Sequence, residues 1–273
     1  MLRNLSGLVR YRGLIQSLVA RELKARYRGS VLGFFWSFIN PLMLLLIYTF
    51  VFQYVMPPAP QATLAQNEPF TGTDPYPLFM FCGLLPWTWF ASSLMESSGV
   101  LISGGNLIKK VLFPAEVLPI VTVTANMVHF FLALPILVFF LIWFRAPLTP
   151  LELACFPLVV AVQLIFTLGC ALILSALTVH FRDIRDILSN ILTLWFFATP
   201  IIYSYQFAPL LARRFMNLNP FAHLAISYQE ILFFRGPFGH WKWLLALGIA
   251  SIAWVLLGYW IFDRLRDSFA EEV

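Results

Sequence analysis

The sequence predicts an all-α integral membrane protein with six transmembrane helices and both termini cytoplasmic. An amphipathic interface helix precedes the first span, and outer re-entrant helices precede the last. Three observations carry this prediction. Of 273 residues, 60% are hydrophobic and 11% charged, against roughly 25% charged in a soluble domain, so the apolar surface exceeds what a water-soluble core can hide. The few charged residues punctuate the chain into six apolar intervals, each matching a bilayer core that needs about 20 residues at 1.5 Å rise. The Lys and Arg residues also divide unevenly between the two sides that those intervals define.

Residues 1–31 are expected to form a cytoplasmic amphipathic interface helix. Tyr11, Ile15, Leu18 and Leu23 recur at roughly helical spacing, while Arg21, Lys24 and Arg28 share another face. Two readings stay open: a helix lying on anionic headgroups, and a helix that forms part of a docking surface for a cytoplasmic partner. Arginines interrupt this stretch and leave no apolar h-region or small-residue cleavage site, so no signal peptide is expected.

The transmembrane domain is expected over 32–262. Charge is absent between Arg28 and Glu68, which places a first span at about 32–56, stopped by Pro57 and Pro58. Further spans fall at about 78–100, with Glu96 near its end, at 117–144 between Glu116 and Arg145, and at 153–179 between Glu152 and Arg182. The fifth opens after Asp186 (187–203), and the sixth lies between Lys242 and Asp263 (243–262), leaving 263–273 as a cytoplasmic tail. Residues 204–241 are apolar but broken by Pro209, Pro220, Gly236, Pro237 and Gly239, so neither half reaches a crossing length. A re-entrant pair accounts for Phe207, Leu210, Phe215 and Phe221 better than a folded external loop does.

Orientation follows from the positive charges. Arg3, Arg10, Arg12, Arg21, Lys24, Arg26, Arg28, Lys109, Lys110, Arg182, Arg185, Arg264 and Arg266 fall on one side, against Arg145, Arg213, Arg214, Arg235 and Lys242 on the other. The richer side is the cytoplasm. This spread also explains the net charge of +5 without a nucleic-acid partner. No internal repeat is visible, so there is no sign of the inverted halves of many ion-coupled carriers.

The chemistry that the sequence lacks is equally informative. No phosphate-cradling G-x-x-x-x-G-K-[ST] loop occurs: Gly104, Gly105, Lys109 and Lys110 have neither its order nor its terminal hydroxyl. The span centres hold almost no ionisable residues. His129 has only Asn126 one turn away on its own helix, so a helix-to-helix hydrogen bond is its expected role. Glu96 either pairs with a cytoplasmic basic residue or snorkels. Cys82, Cys155 and Cys170 lie in apolar stretches without metal-ligand spacing and are expected to pack. No nucleophile–base pair or metal cluster suggests an enzyme, and no catalytic or metal-binding residue is expected. The short cytoplasmic connections, 103–116 and 179–189, mix charge with apolar residues as docking helices do.

The blocks Arg21-Glu22-Leu23-Lys24-Ala25-Arg26-Tyr27-Arg28-Gly29-Ser30-Val31-Leu32-Gly33-Phe34-Phe35-Trp36 and Asn40-Pro41 resemble the approach to the first span in ABC-2 type export permeases for O-antigen, capsule and teichoic acid. Phe181-Arg182-Asp183-Ile184, Thr199-Pro200-Ile201-Ile202-Tyr203 and Leu218-Asn219-Pro220 follow in the family's order and extend the resemblance over nearly the whole chain. It implies a six-span half-transporter of the bacterial inner membrane that dimerises and binds two copies of a separate ATPase subunit, which would carry the ATP and Mg; this chain is expected to hold no cofactor. It implies ATPase coupling through the interface helix (Arg21, Lys24, Arg28) and the first connection (Asn106, Lys109, Lys110, Phe113, Pro114). A second contact would form at Phe181, Arg182, Asp183 and Arg185.

The resemblance also gives the aromatic content of 17% a role. A glycan alternates apolar sugar faces with hydroxyl edges, so rings give it weak repeated contacts to slide along. Phe34, Phe35, Trp36, Phe38, Tyr48, Trp195, Phe196, Phe197 and Tyr203 are the candidate path; the plainer reading is that any one of them packs or faces lipid. The function expected is export of a lipid-linked polysaccharide, with export of a drug or small lipid as the alternative.

Overall fold

A computed structural model of the chain describes residues 11–55, 75–110, 113–146, 148–234 and 236–272. Expectations attached to Arg3, Arg10, Pro57, Pro58, Glu68 and Arg235 lie outside the described residues, as do the side chains of Phe34, Lys110 and Phe207. The described chain is helical, with no strand. In order it forms α1 (Arg12–Arg26), α2 (Trp36–Thr49), α3 (Tyr76–Ser103), α4 (Gly105–Lys110), α5 (Val117–Trp143), α6 (Pro150–Leu153) and α7 (Phe156–His180). There follow α8 (Ile184–Phe197), α9 (Leu210–Met216), α10 (Pro220–Leu232), α11 (Trp241–Leu265) and α12 (Phe269–Glu272).

Four helical stretches are long and apolar enough to cross a bilayer, namely Tyr76–Ser103, Val117–Trp143, Pro150–His180 and Trp241–Ser268. The chain is a multi-pass integral membrane protein. In the most apolar window of α3, 78% of residues are buried, against 33% for α5 and 28% for α11, so α3 is the central pillar and α5 and α11 offer broad faces to lipid. Around α3 stand α5, α7, α8, α10 and α2, and α11 lies along α7.

Two expected spans differ from what forms. The first is built in pieces: the 3-10 turn Gly33–Phe35 leads into α2, and the π-helical stretch Phe50–Val55 continues it. The fifth, expected at 187–203, begins at Ile184 and ends at Phe197, 14 residues in all, or about 21 Å against a core of about 30 Å. Proline explains the early stop, because residues before Pro200 are pushed out of helical geometry. The chain turns there, and Thr199 bonds back to the Trp195 carbonyl at 2.7 Å.

The core is aromatic. Trp87 and Phe90 of α3 meet Phe221 of α10 with ring centroids 4.9 and 4.8 Å apart, and Phe90 also meets Trp195 of α8 at 5.3 Å. Much of the aromatic surplus therefore packs helix against helix. Backbone carbonyls at prolines and turns are capped by buried side chains, as the absence of water at depth requires. Gln163 donates to Pro86 O at 2.8 Å, Gln229 to Pro200 O at 2.8 Å, and Tyr76 to Ile202 O at 2.7 Å. Cys82 and Cys170 are buried free thiols, and Cys155 is a half-buried one.

One end of the bundle is tied into a second cluster. Leu101 of α3, Ala115 and Leu118 beside the start of α5, Val179 of α7, Phe262 of α11 and Phe269 of α12 are buried together, with Phe113 against them. His180 bonds Ser268 at 2.9 Å across the same junction. The apolar face of α1 is covered by protein: Val19 is buried against Val117, Val121 and Ala125 of α5, with Tyr11, Ile15, Leu18 and Leu23 packed around it. Gly29 and Gly33 take positive φ, 79° and 49°, in the turn that swings the chain from α1 into α2.

Candidate functional site

Helices α2, α3 and α8 enclose an open groove of about 510 Å³. The rings of Tyr48, Trp87, Phe196 and Phe197 line it together with the hydroxyls of Thr88, Ser92, Ser189 and Thr193, and Glu96 also lines it. The hydroxyls fall in register: Thr88, Ser92 and Glu96 recur every four residues on α3, as do Ser189, Thr193 and Phe197 on α8, so each set forms one stripe. Such a surface offers a sliding ligand flat apolar faces and hydrogen-bonding edges in alternation.

The sequence-predicted rings separate into groups. Tyr48, Phe196 and Phe197 line the groove. Trp36 lines a neighbouring cavity of about 260 Å³ beneath the end of α1 and donates to Ser30 at 3.1 Å. Phe35 is exposed at the foot of α2 and Phe38 is half-buried. Trp195 turns away from the groove stripe toward Trp87 and Phe90, and Tyr203 donates to Phe197 O at 2.9 Å. Trp87 and the hydroxyl stripes escaped the sequence reading, although the four-residue spacing was the signal that could have found them.

Below the groove, α1 is pinned to the bundle. Arg26 donates from Nη2 to both Glu96 oxygens at 2.7 and 2.8 Å, and Asn126 of α5 donates to Glu96 Oε2 at 2.7 Å. Arg26 Nη1 reaches Asn126 Oδ1 at 3.3 Å, closing the triad. One residue on, the Tyr27 hydroxyl meets His129 Nδ1 at 3.0 Å and the Ser37 hydroxyl. His129 thus bonds from its helix to the turn that follows α1, where a helix-to-helix bond was expected, and Glu96 pairs with a basic residue.

A third node joins the end of α8 to α10. Asn219 caps α10 by accepting from Phe221 N at 3.0 Å and Ala222 N at 3.3 Å, and its Oδ1 also accepts from Trp195 Nε1 at 2.7 Å. Its amide donates to Thr199 Oγ1 at 3.0 Å and Ala198 O at 3.3 Å. Removing it strips a cap worth about 1 kcal/mol and orphans partners at about 1–3 kcal/mol each. Asn219→Ala is expected to lower the melting temperature of the purified chain markedly, and Asn219→Asp, which keeps the acceptor but not the amide, by less.

The predicted coupling residues gather at the end that holds the second cluster. Arg21, Lys24, Arg28, Asn106, Lys109, Phe181, Arg182, Asp183 and Arg185 are exposed, Phe113 is half-buried and Pro114 buried. Phe113 packs against both the second cluster and the α1–α5 contact, so it bridges the connection to the interface helix. Among the described residues no group of three or more His, Cys, Asp or Glu is arranged to hold a metal ion.

The ABC-2 type transporter family profile matches residues 13–233, a range that runs from α1 to the end of α10. The chain is 42% identical to an O-antigen export system permease protein of Myxococcus xanthus over the full length of both. It is 33% identical to one of Klebsiella pneumoniae over 94% of each chain, and 24% identical to a polysialic acid transport protein of Escherichia coli over 79% of this chain and 80% of that one. With a profile covering most of its length and relatives alike from end to end, this chain belongs to the ABC-2 type transporter family.

Proposed function

We propose that the chain is the transmembrane subunit of an ABC exporter that carries a lipid-linked polysaccharide such as O-antigen across the bacterial inner membrane. A separate ATPase subunit powers it and binds the ATP and Mg. Relatives at 42% and 33% identity bear the O-antigen export name, which favours this reading over export of a drug or small lipid. The observation that carries it is the groove of rings and hydroxyls between α2, α3 and α8. Open as it is, the groove is half of a conduit, and a second copy of this chain would supply the other half, with two copies of the ATPase beneath.

In this reading the chain crosses six times with both termini cytoplasmic. The first crossing is α2 with its π-helical continuation: 14 and 6 residues give about 30 Å at helical rise. The fifth is α8 completed by the turn after Phe197, and α9 and α10 form the outer re-entrant pair. The ATPase docks on the exposed basic end, where α1, the Asn106–Pro114 connection and the Phe181–Arg185 turn meet.

Deleting the gene in the producing bacterium is expected to remove polysaccharide from the surface and to accumulate lipid-linked polymer inside; unchanged surface glycan would sink the reading. Tyr48→Ala and Phe197→Ala are expected to cut export several-fold while leaving membrane abundance and co-purification with the ATPase intact. A parallel fall of abundance and export would assign these rings to packing instead.

A further inference from the structure

On the far side of the bundle from the coupling face, a second cavity of about 340 Å³ lies between the turn after α8, the last turn of α10 and the loop that leads into α11. Its polar lining includes Gln206, Gln229, Glu230 and His240, and Ile226, Phe234 and Pro237 give it an apolar part. We infer that this pocket is an exit subsite that holds one sugar ring of the polymer as it leaves the conduit. The inference rests on the export reading above and on the outward placement of α9 and α10.

The chemistry of the wall selects the ligand. Glu230 Oε2 is held by the His240 amide at 2.9 Å, which fixes the carboxylate at the pocket edge. Gln229 donates one amide N–H to Pro200 O, which leaves its carbonyl and its second N–H for other partners. The two histidines have assigned tautomers. His223 Nε2 lies 3.1 Å from Asn217 O, an acceptor, so that nitrogen carries the proton; His223 Nδ1 therefore accepts from His240 Nε2 at 2.9 Å, and His240 Nδ1 keeps a lone pair. Burial, with the neighbouring His223 second, pushes the His240 pKa down to about 4, so this imidazole is uncharged at ordinary pH. The wall is thus rich in acceptors beside an aromatic ring, the complement of sugar hydroxyls on an apolar ring face. Ile226, Phe234 and Pro237 supply the apolar part of the lining, so the pocket pairs apolar surface with polar edges as a sugar ring does, and it holds no group of three His, Cys, Asp or Glu for a metal ion among the described residues. The volume sits at the small end of the roughly 300–1,000 Å³ range of small-molecule sites, enough for a single ring and its waters and too little for a length of polymer.

Gly239 offers a direct probe. A Cβ there would meet nothing closer than 3.9 Å, from Glu230 Oε2 and Pro237 O, so Gly239→Cys places a thiol in the pocket without displacing its walls. The thiol is labelled with a membrane-impermeant maleimide in the purified permease–ATPase complex, in a Cys155→Ala background because the other two thiols are buried. The probe ligand is the producing strain's own polysaccharide, freed from its lipid by mild acid. Labelling at position 239 is expected to slow by about fivefold at a polysaccharide concentration about four times the dissociation constant, since protection follows 1 + [L]/Kd. Leu211→Cys, on the exposed face of α9, is expected to label unchanged, and Glu230→Ala should abolish the protection at 239. Absence of slowing, or equal slowing at 211 and 239, overturns the subsite. Export lost on gene deletion without protection at 239 removes the pocket alone, whereas unchanged surface glycan on deletion removes the export reading with it.

Discussion

Alanine at Glu96 is expected to abolish most export while leaving the chain folded and bound to its ATPase. The magnitudes separate these two effects. The Arg26 and Glu96 side chains are 30% and 38% exposed, and an ion pair that wet contributes about 0–1 kcal/mol, a shift of a few degrees in melting temperature at this size. What disappears is a mechanical tie: Glu96 holds Arg26 of α1 and Asn126 of α5 together, with bonds of 2.7 to 2.8 Å, at the mouth of the groove. If the ATPase moves α1, this triad passes the movement to α3 and α5. Coupling free energies between sites run at about 1–3 kcal/mol, or about 5- to 150-fold, and export should fall within that range. Glu96 also lines the groove, so Arg26→Ala is the deciding companion. It breaks the tie and leaves the carboxylate in place, and it should reproduce the loss. Export reduced by Glu96→Ala alone would make Glu96 a groove residue; export within twofold of the parent in both would remove the triad from the coupling route. The measurement is surface polysaccharide set against ATPase activity of the purified complex.

How far the sequence could foresee this arrangement depended on the range of each interaction. Charges at span ends are local signals, so α5, α7 and α11 were legible from Glu116, Arg145, Glu152, Lys242 and Asp263, and α3 from the apolar run that only Glu96 interrupts. Helix α8 was harder, because the hydropathy of residues 187–203 continues past the point where Pro200 stops the backbone. Glu96 stood out as the charge near the end of its span and His129 as the ionisable residue within one, yet Arg26 lies 70 residues before the first and Tyr27 102 before the second, and nothing in a single sequence ranks such distant partners. Trp195 was grouped with Phe196 and Phe197 as a run of rings. At 100° per residue, however, it lies about 200° round from Thr193, and it packs against Phe90 at 5.3 Å instead. Thr199-Pro200 and Leu218-Asn219-Pro220 were visible as separate blocks, and the fold reveals them as one node through Asn219. The cover over the apolar face of α1 was also unreadable, since Val117, Val121 and Ala125 look lipid-facing until α1 is laid on them.

Leucine at Gly258 is expected to cost the chain its assembled fold, through the seam between α7 and α11. In lipid no hydrophobic force drives helices together, so association depends on how closely backbones approach, and small residues set that distance. A Cβ at Gly258 would lie 2.7 Å from Gly169 O, and one at Gly169 would lie 2.7 Å from Trp254 Cδ1 and 3.0 Å from Val255 N. Backbone cannot step aside as a flexible side chain does. Even Gly258→Ala must push α11 away, loosening the Trp254 Nε1 contact to Cys170 Sγ at 3.2 Å, at about 1–3 kcal/mol; leucine adds three more carbons to the same clash. Gly248, on the same helix, supplies the contrast. A Cβ there meets Val162 Cγ2 at 3.3 Å, the end of a side chain, and alanine lowers the backbone entropy lost on folding. Thermal stability and yield of the purified chain should therefore stay near the parent's for Gly248→Ala, drop for Gly258→Ala and collapse for Gly258→Leu. Equal behaviour of all three would mean that α11 is held by its contacts with lipid and α10, and that the glycine seam does not set its position.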